Sequence, residues 1–107
     1  MVKVENRHNY DGPGTYIGRG TMWGNQASHK DYPGVKVKVN TREEAVRWYL
    51  SWLREQYRYN LTIHNALDEW ARQHRRGKEI VLICSCAPQA CHGDIIKLAI
   101  EKLAEAL

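Results

Sequence analysis

The chain has 107 residues, 43% of them hydrophobic, with a formal net charge of +4 at pH 7; that length suits one compact domain and leaves no room for a second core. Three cysteines, two of them one residue apart, exclude a disulfide-stapled scaffold, and no apolar leader or bilayer-length apolar run is present, so a reduced, cytoplasmic protein without a membrane partner is expected. The positive balance admits a phosphorylated small molecule or a nucleic acid as partner, although no basic stripe with interleaved aromatics is evident and solubility alone accounts for the charge.

In chain order, Val2-Lys3-Val4 alternates and predicts a short first strand, and residues 6–14 are dense in turn formers. Thr15-Tyr16-Ile17 resumes extended character before Gly18-Arg19-Gly20 and Gly24-Asn25, where glycines let the backbone turn sharply or approach a ligand. Gly18-x-Gly20 lacks the third glycine of a dinucleotide fingerprint and Lys30 follows no Gly-x4-Gly frame, so a phosphate cradle and a structural Ω-like loop both stay open. Val35 to Val39 alternates with lysines and predicts a half-exposed strand.

Thr41 and Glu44 have capping-box spacing and start a helix expected to reach about Gln56, its stripe of Ala45, Trp48, Tyr49 and Trp52 serving as core. Residues 57–60 break the pattern; Ile63, Ala66, Leu67, Trp70 and Ala71 restore it in a second helix over about 62–75. Gly77 fits the left-handed position past its end, and Arg72, His74, Arg75 and Arg76 suit the negative end of the dipole. His64 and His74, with nothing acidic or sulfur-bearing noted at ligand spacing, read as surface or edge histidines.

Ile80 to Ile83 is an uninterrupted, β-branch-rich run of the kind a strand covered on both faces shows, and it is expected at the centre of the sheet. Pro88 drives the chain out of the sheet near Cys86, and Asp94 with Ile95, Leu98, Ala99 and Leu103 predicts a helix over about 90–105. The order of elements predicts an α/β domain, a small single-domain Rossmann-like sheet with flanking helices on one or both faces and parallel pairing near the last strand. Cys91 and His92 stand at the entrance of the last helix, where the dipole favours anions and lowers a thiol's pKa, so Cys91 is the preferred reactive thiol and Cys84 is core.

The string Cys84-x-Cys86-x-Pro88-x-x-Cys91-His92-Gly93-Asp94 after an apolar strand resembles the C-terminal signature of the domain-of-unknown-function family 4326, small proteins met in phages and bacteria. Tyr16-Ile17-Gly18-Arg19 and Trp23-Gly24-Asn25 are similar to that family's N-terminal Ile-Gly-Arg and Gly-Asn-Pro elements, with Gln26 where proline is usual. The resemblance implies a fold and a site more than a reaction, and a host cytoplasm if the gene is carried by a phage.

Three readings follow. In the first, the loop of Gly18, Arg19, Trp23, Gly24 and Asn25 and the loop of Cys86, Pro88 and Gly93 converge at one sheet edge into a pocket for a nucleotide-like or phosphorylated small molecule. Arg19 clamps the anion, Asn25 supplies amide bonds, and the first-turn amides near His92 and Gly93 take the phosphate. Turnover would use Cys91 as nucleophile and His92 or Asp94 as general acid or base. The second reading is a zinc site from Cys84, Cys86, Cys91 and His92, against which the tight Cys-x-Cys and adjacent Cys-His spacings argue, so no metal or cofactor is expected. The third is purely structural: small buried thiols, a proline turn and an Asp94 cap.

Overall fold

The computed structural model describes residues 1–31 and 35–107. The apolar run forms the central strand of a three-stranded, all-parallel sheet. β1 (Val2–Asn6) lies on one side of the run and β2 (Thr15–Tyr16) on the other. Ala27–Ser28 (β3) and Val37–Lys38 (β4) pair in parallel as a separate two-stranded ribbon. Among the described residues there are three helices: α1 (Arg42–Tyr59), α2 (Leu61–Arg75) and, after the central strand β5 (Ile80–Cys84), α3 (His92–Glu105).

The register sets Val2 beside Ile80 and Asn6 beside Cys84 on one side of β5, and Tyr16 beside Ile83 on the other. Two further backbone bonds, Arg7 N–H to the Cys84 carbonyl at 2.8 Å and Ile17 N–H to the Ile83 carbonyl at 2.9 Å, carry the pairing past the strand ends. The C-terminal ends of all three strands therefore lie together, and Arg7, Gly18 and Ser85 leave the sheet at one edge.

The continuous apolar run suggested cover on both faces of β5, but burial alternates: Ile80, Leu82 and Cys84 are buried, while Val81 and Ile83 are only half-buried. Helices cover one face, where Tyr49, Leu53, Ile63, Leu67, Ile96 and Ile100 join Val2, Ile17 and Leu82 in one hydrophobic cluster. On the opposite face the loop residue Gly14 lies against Ile83. A β-branched strand thus reads alike whether its second face is packed by helices or roofed by a loop.

Each helix begins with a cap. Thr41 Oγ1 accepts the Glu44 N–H at 3.1 Å, and Glu44 reaches back to the Asn40 N–H at 3.4 Å, one residue earlier than the capping box expected. α1 then runs through Tyr57-Arg58-Tyr59, past its expected end, because one residue suffices to break it. Asn60 leaves the helical region at φ −110°, ψ 104°, ends α1 and accepts the Thr62 and Ile63 N–H groups of α2. Gly77 adopts φ +86° beyond α2, the left-handed position expected of it.

Buried stripes sort themselves by depth. Ala45, Tyr49 and Leu53 are the deep face of α1, with Trp52 packed against it, and Ile96, Ile100 and Ala104 are that of α3. The stripe expected for α3 lies one residue off this axis, leaving Leu98 45% exposed. The edge reading of His64 misses a local network: Asp68, one turn on, meets its Nε2 at 3.0 Å and also accepts the Tyr57 hydroxyl at 2.7 Å. His64 Nδ1 donates to the Tyr57 carbonyl, and the two rings stack at 4.2 Å. Among the described residues no helix is long and apolar enough to cross a membrane.

Candidate functional site

At the C-terminal edge of the parallel sheet a cleft of about 490 Å³ opens between the loop after β2, the ribbon strand β3, the start of α1 and the loop from β5 to α3. The two sequence motifs meet there. Gly18, Arg19, Asn25, Cys86, Cys91 and His92 all line it. Arg7, Lys30 and Arg42 line it too, and no carboxylate does among the described residues. Sequence reasoning passed over those three cations and Ser28 and His29. The available signal was topological: Arg7 follows β1 as Arg19 follows β2, and Arg42 opens a helix as His92 does.

Trp23, Gly24, Pro88 and Gly93 do not line the cleft. Trp23 is 3% exposed, stacks obliquely on Trp70 at 5.0 Å, and its carbonyl accepts the Tyr49 hydroxyl at 2.7 Å. Gly24 belongs to a smaller neighbouring hollow with Arg19, Asn25 and Trp52. Pro88, in a cis peptide with Ala87, is exposed beside the cleft without lining it. Gly93 is buried beneath the helix start, where a Cβ would stand 2.9 Å from Val4 Cγ1 and 3.0 Å from Ile17 Cδ1, so its lack of a side chain lets α3 close on the sheet.

The first turn of α3 is also more committed than its position suggested. Cys91 is the N-cap: its sulfur accepts the Gly93 N–H at 3.3 Å, its carbonyl accepts the Asp94 N–H at 3.1 Å, and the Asp94 carboxylate accepts the Cys91 N–H at 3.2 Å. The amides of Gly93 and Asp94 are therefore taken before any phosphate arrives, and Asp94, absent from the cleft lining, acts as a cap. Asn25 is bound at both ends of its amide, donating to the Ala45 carbonyl at 3.0 Å and accepting from the Ala27 N–H at 3.0 Å. It ties the glycine loop to α1. Asn6 does the same for the other loop, donating to the Ala87 carbonyl at 2.8 Å while its Oδ1 accepts the His8 N–H.

The three thiols come together, although their spacing did not require it. Cys84 and Cys91 are 0% and 4% exposed with sulfurs 3.5 Å apart, and Cys91 also interacts with the half-buried Cys86. The Cys91 pKa is driven up by hydrogen bonds to Cys84 and Cys86 and by burial, opposite to the shift expected of a helix-entrance nucleophile. Cys86 is instead pushed down to about 5, first by the Cys91 thiol and then by the Arg42 guanidinium, with Arg19 adding to it. Cys84 is lowered chiefly by the same Cys91 donor but has no solvent contact.

His92 is held neutral: burial lowers its pKa against the raising effect of the Ile17 carbonyl. Its Nε2–H donates to that carbonyl, and its ring meets Tyr49 edge-on at 5.0 Å. That tautomer leaves Nδ1 as the ring's lone pair. Among the described residues no group of three His, Cys, Asp or Glu side chains is arranged to hold a metal ion.

No curated protein and no solved structure matches the chain. A family profile described as Domain of unknown function (DUF4326) matches residues 2–102, a span that starts with β1, contains both cleft-forming loops and reaches the last turns of α3. With nearly its whole length and both motifs inside that match, the chain belongs to the DUF4326 family.

Proposed function

We propose that the cleft binds a nucleotide-like or otherwise phosphorylated small molecule. The observation that carries this reading is the one-signed lining: Arg7, Arg19, Lys30 and Arg42 surround the hollow and no carboxylate among the described residues offsets them. A concave wall lined by one sign of charge focuses the field and favours an anion over the neutral form of the same ligand. The volume lies within the range of small-molecule sites, about 300–1,000 Å³, which favours a compact ligand over a nucleic-acid strand. Its position at the carboxyl ends of parallel strands is the one in which Rossmann-like sheets take ligands, and the first residues of two helices border it.

Within this reading the arginines replace the amides as the main anion contacts. Arg42 Nη1 donates to the Ala90 carbonyl at 3.4 Å, a long bond that a phosphate oxygen would displace at little cost. Tyr16, which accepts from Arg7 Nη1 at 3.3 Å and lies under its guanidinium, supplies a flat wall for a base or sugar. Turnover would fall to His92 as base.

A calorimetric titration with nucleoside mono-, di- and triphosphates, inorganic phosphate and the parent nucleosides tests the proposal. Phosphorylated ligands are expected to bind and nucleosides to fail. Arg42→Ala and Arg19→Ala should each weaken binding by about 2 kcal/mol, the value of a charge-assisted contact. Cys91→Ser, which keeps a capping side chain, should leave affinity nearly unchanged. Equal affinity for nucleoside and nucleotide, or arginine variants that bind like wild type, would reject it.

A further inference from the structure

The thiol cluster carries chemistry that anion binding does not use. We propose that Cys86 and Cys91 form a redox couple, in which a hydroperoxide oxidises Cys86 at the cleft surface and Cys91 beneath it resolves the oxidised sulfur to a disulfide. Geometry selects the attacking sulfur. Cys84 and Cys91 are 0% and 4% exposed, so Cys86 is the one of the three that an oxidant reaches. It lines the cleft, where Arg42 from the start of α1, Arg19 from the loop after β2 and the two other thiols act on it, and Arg7, His29, Lys30 and His92 share the same lining.

That setting suits a thiolate: two guanidinium groups and one S–H donor stabilise the negative sulfur, in line with its lowered pKa. Cys91 is the opposite case, kept as a protonated thiol in contact with both neighbours. A low-pKa, accessible cysteine next to a second cysteine that can resolve it is the arrangement that redox-sensing thiols often show.

The electrons balance in two steps. The Cys86 thiolate attacks the distal oxygen of the hydroperoxide, the O–O bond breaks, Cys86 becomes a sulfenic acid, and the departing alkoxide or hydroxide takes a proton from water. The Cys91 sulfur then attacks the Cys86 sulfur, the S–O bond breaks, and the leaving hydroxide takes the Cys91 proton as water. Two thiols lose two electrons and one peroxide gains them.

The test is independent of any cleft ligand. The full chain is reduced, treated with one equivalent of hydrogen peroxide with and without dimedone, alkylated and peptide-mapped by mass spectrometry. A Cys86–Cys91 cross-link is expected without the trap, and dimedone on Cys86 with it. Cys91→Ser should accumulate trapped Cys86 sulfenic acid, and Cys84→Ser should still form the cross-link. The alkylation rate of Cys86 by iodoacetamide should stay nearly flat from pH 6.5 to 8, where an unperturbed thiol rises roughly twentyfold. This profile is the better signature, because intrinsic nucleophilicity falls with pKa and offsets the larger thiolate fraction at any single pH. A first-formed Cys84–Cys91 cross-link with Cys86 still free, dimedone on Cys91, a Cys86 rate that climbs like an ordinary thiol's, or no oxidation of any of the three would overturn the proposal.

Discussion

At the residue scale the site turns on which groups keep their charge. His92 sits buried with Nε2–H on the Ile17 carbonyl, and its folded pKa is below the ordinary 6.5. The unfolded chain therefore takes up this proton first as pH falls. Stability should be insensitive to His92 above about pH 6.5 and should drop below it, down to the folded pKa. Cys86 acts in a wider window with the same sign: its folded pKa of about 5 lies below the ordinary 9.0, so its contribution is full above 9 and is lost as pH falls towards 5. Chemical denaturation of wild type and His92→Gln, which keeps a donor for Ile17, separates the two. The variant should lose the extra steepening below pH 6.5 while keeping the gentler slope above it; identical curves would mean that His92 is not held neutral.

Residue types and their motif positions were legible in sequence, whereas roles were not. Cys91 was the natural nucleophile from its place at a helix entrance, yet an N-cap residue spends its side chain on the helix's own amides. Asn25 and Trp23 carry the same lesson: a motif residue can be fixed in place by backbone bonds or core packing and shape the site without facing it. Arg42 went unmarked because a helix's first residue looks like solvated surface until the fold sets another helix entrance across from it.

At the scale of elements, the loop from β5 to α3 is held at two points. Asn6 pins its middle, and the Cys91 and Asp94 box pins its exit. α3 can then close on Val4 of β1 and on Ile17, just past β2, only because Gly93 presents no side chain. Gly93→Ala should cost about 1–3 kcal/mol as an overpacking change, since the added methyl would meet Val4 Cγ1 at 2.9 Å and Ile17 Cδ1 at 3.0 Å. A urea melt reads this directly, and an unchanged midpoint would show that the helix start has room to move. Helices and the central strand were legible because their patterns are long or strongly apolar. β3 was not, since Ala27-Ser28 carries no alternation and its parallel pairing with β4 is a tertiary contact. The one-residue error in the α3 stripe has a similar source: Ile95, Ile96, Leu98 and Ala99 are apolar on several faces, so only the neighbouring sheet decides which face is deepest.

For the whole molecule, the formal charge of +4 matters less than where it is gathered. Three parallel strands end at one edge, and the segments that follow them, together with the start of α1, bring Arg7, Arg19, Lys30 and Arg42 around a single hollow. A second hollow, lined by Leu50, Leu53, Tyr57, Leu67 and Leu98 with Arg54, Arg58 and Lys102, lies among the helices and is largely apolar. The two make an internal control, since a phosphorylated ligand should choose the first. A ¹H–¹⁵N correlation titration of the 12.4 kDa chain with the tightest-binding nucleotide distinguishes them in one experiment. The expected result is saturable shifts confined to residues around Arg7, 18–30, Arg42 and 85–92, weakened in parallel by Arg19→Ala and Arg42→Ala. Shifts gathered instead around Leu50, Leu98 and Lys102, or scattered and non-saturable along the surface, would contradict an anion site at the strand ends.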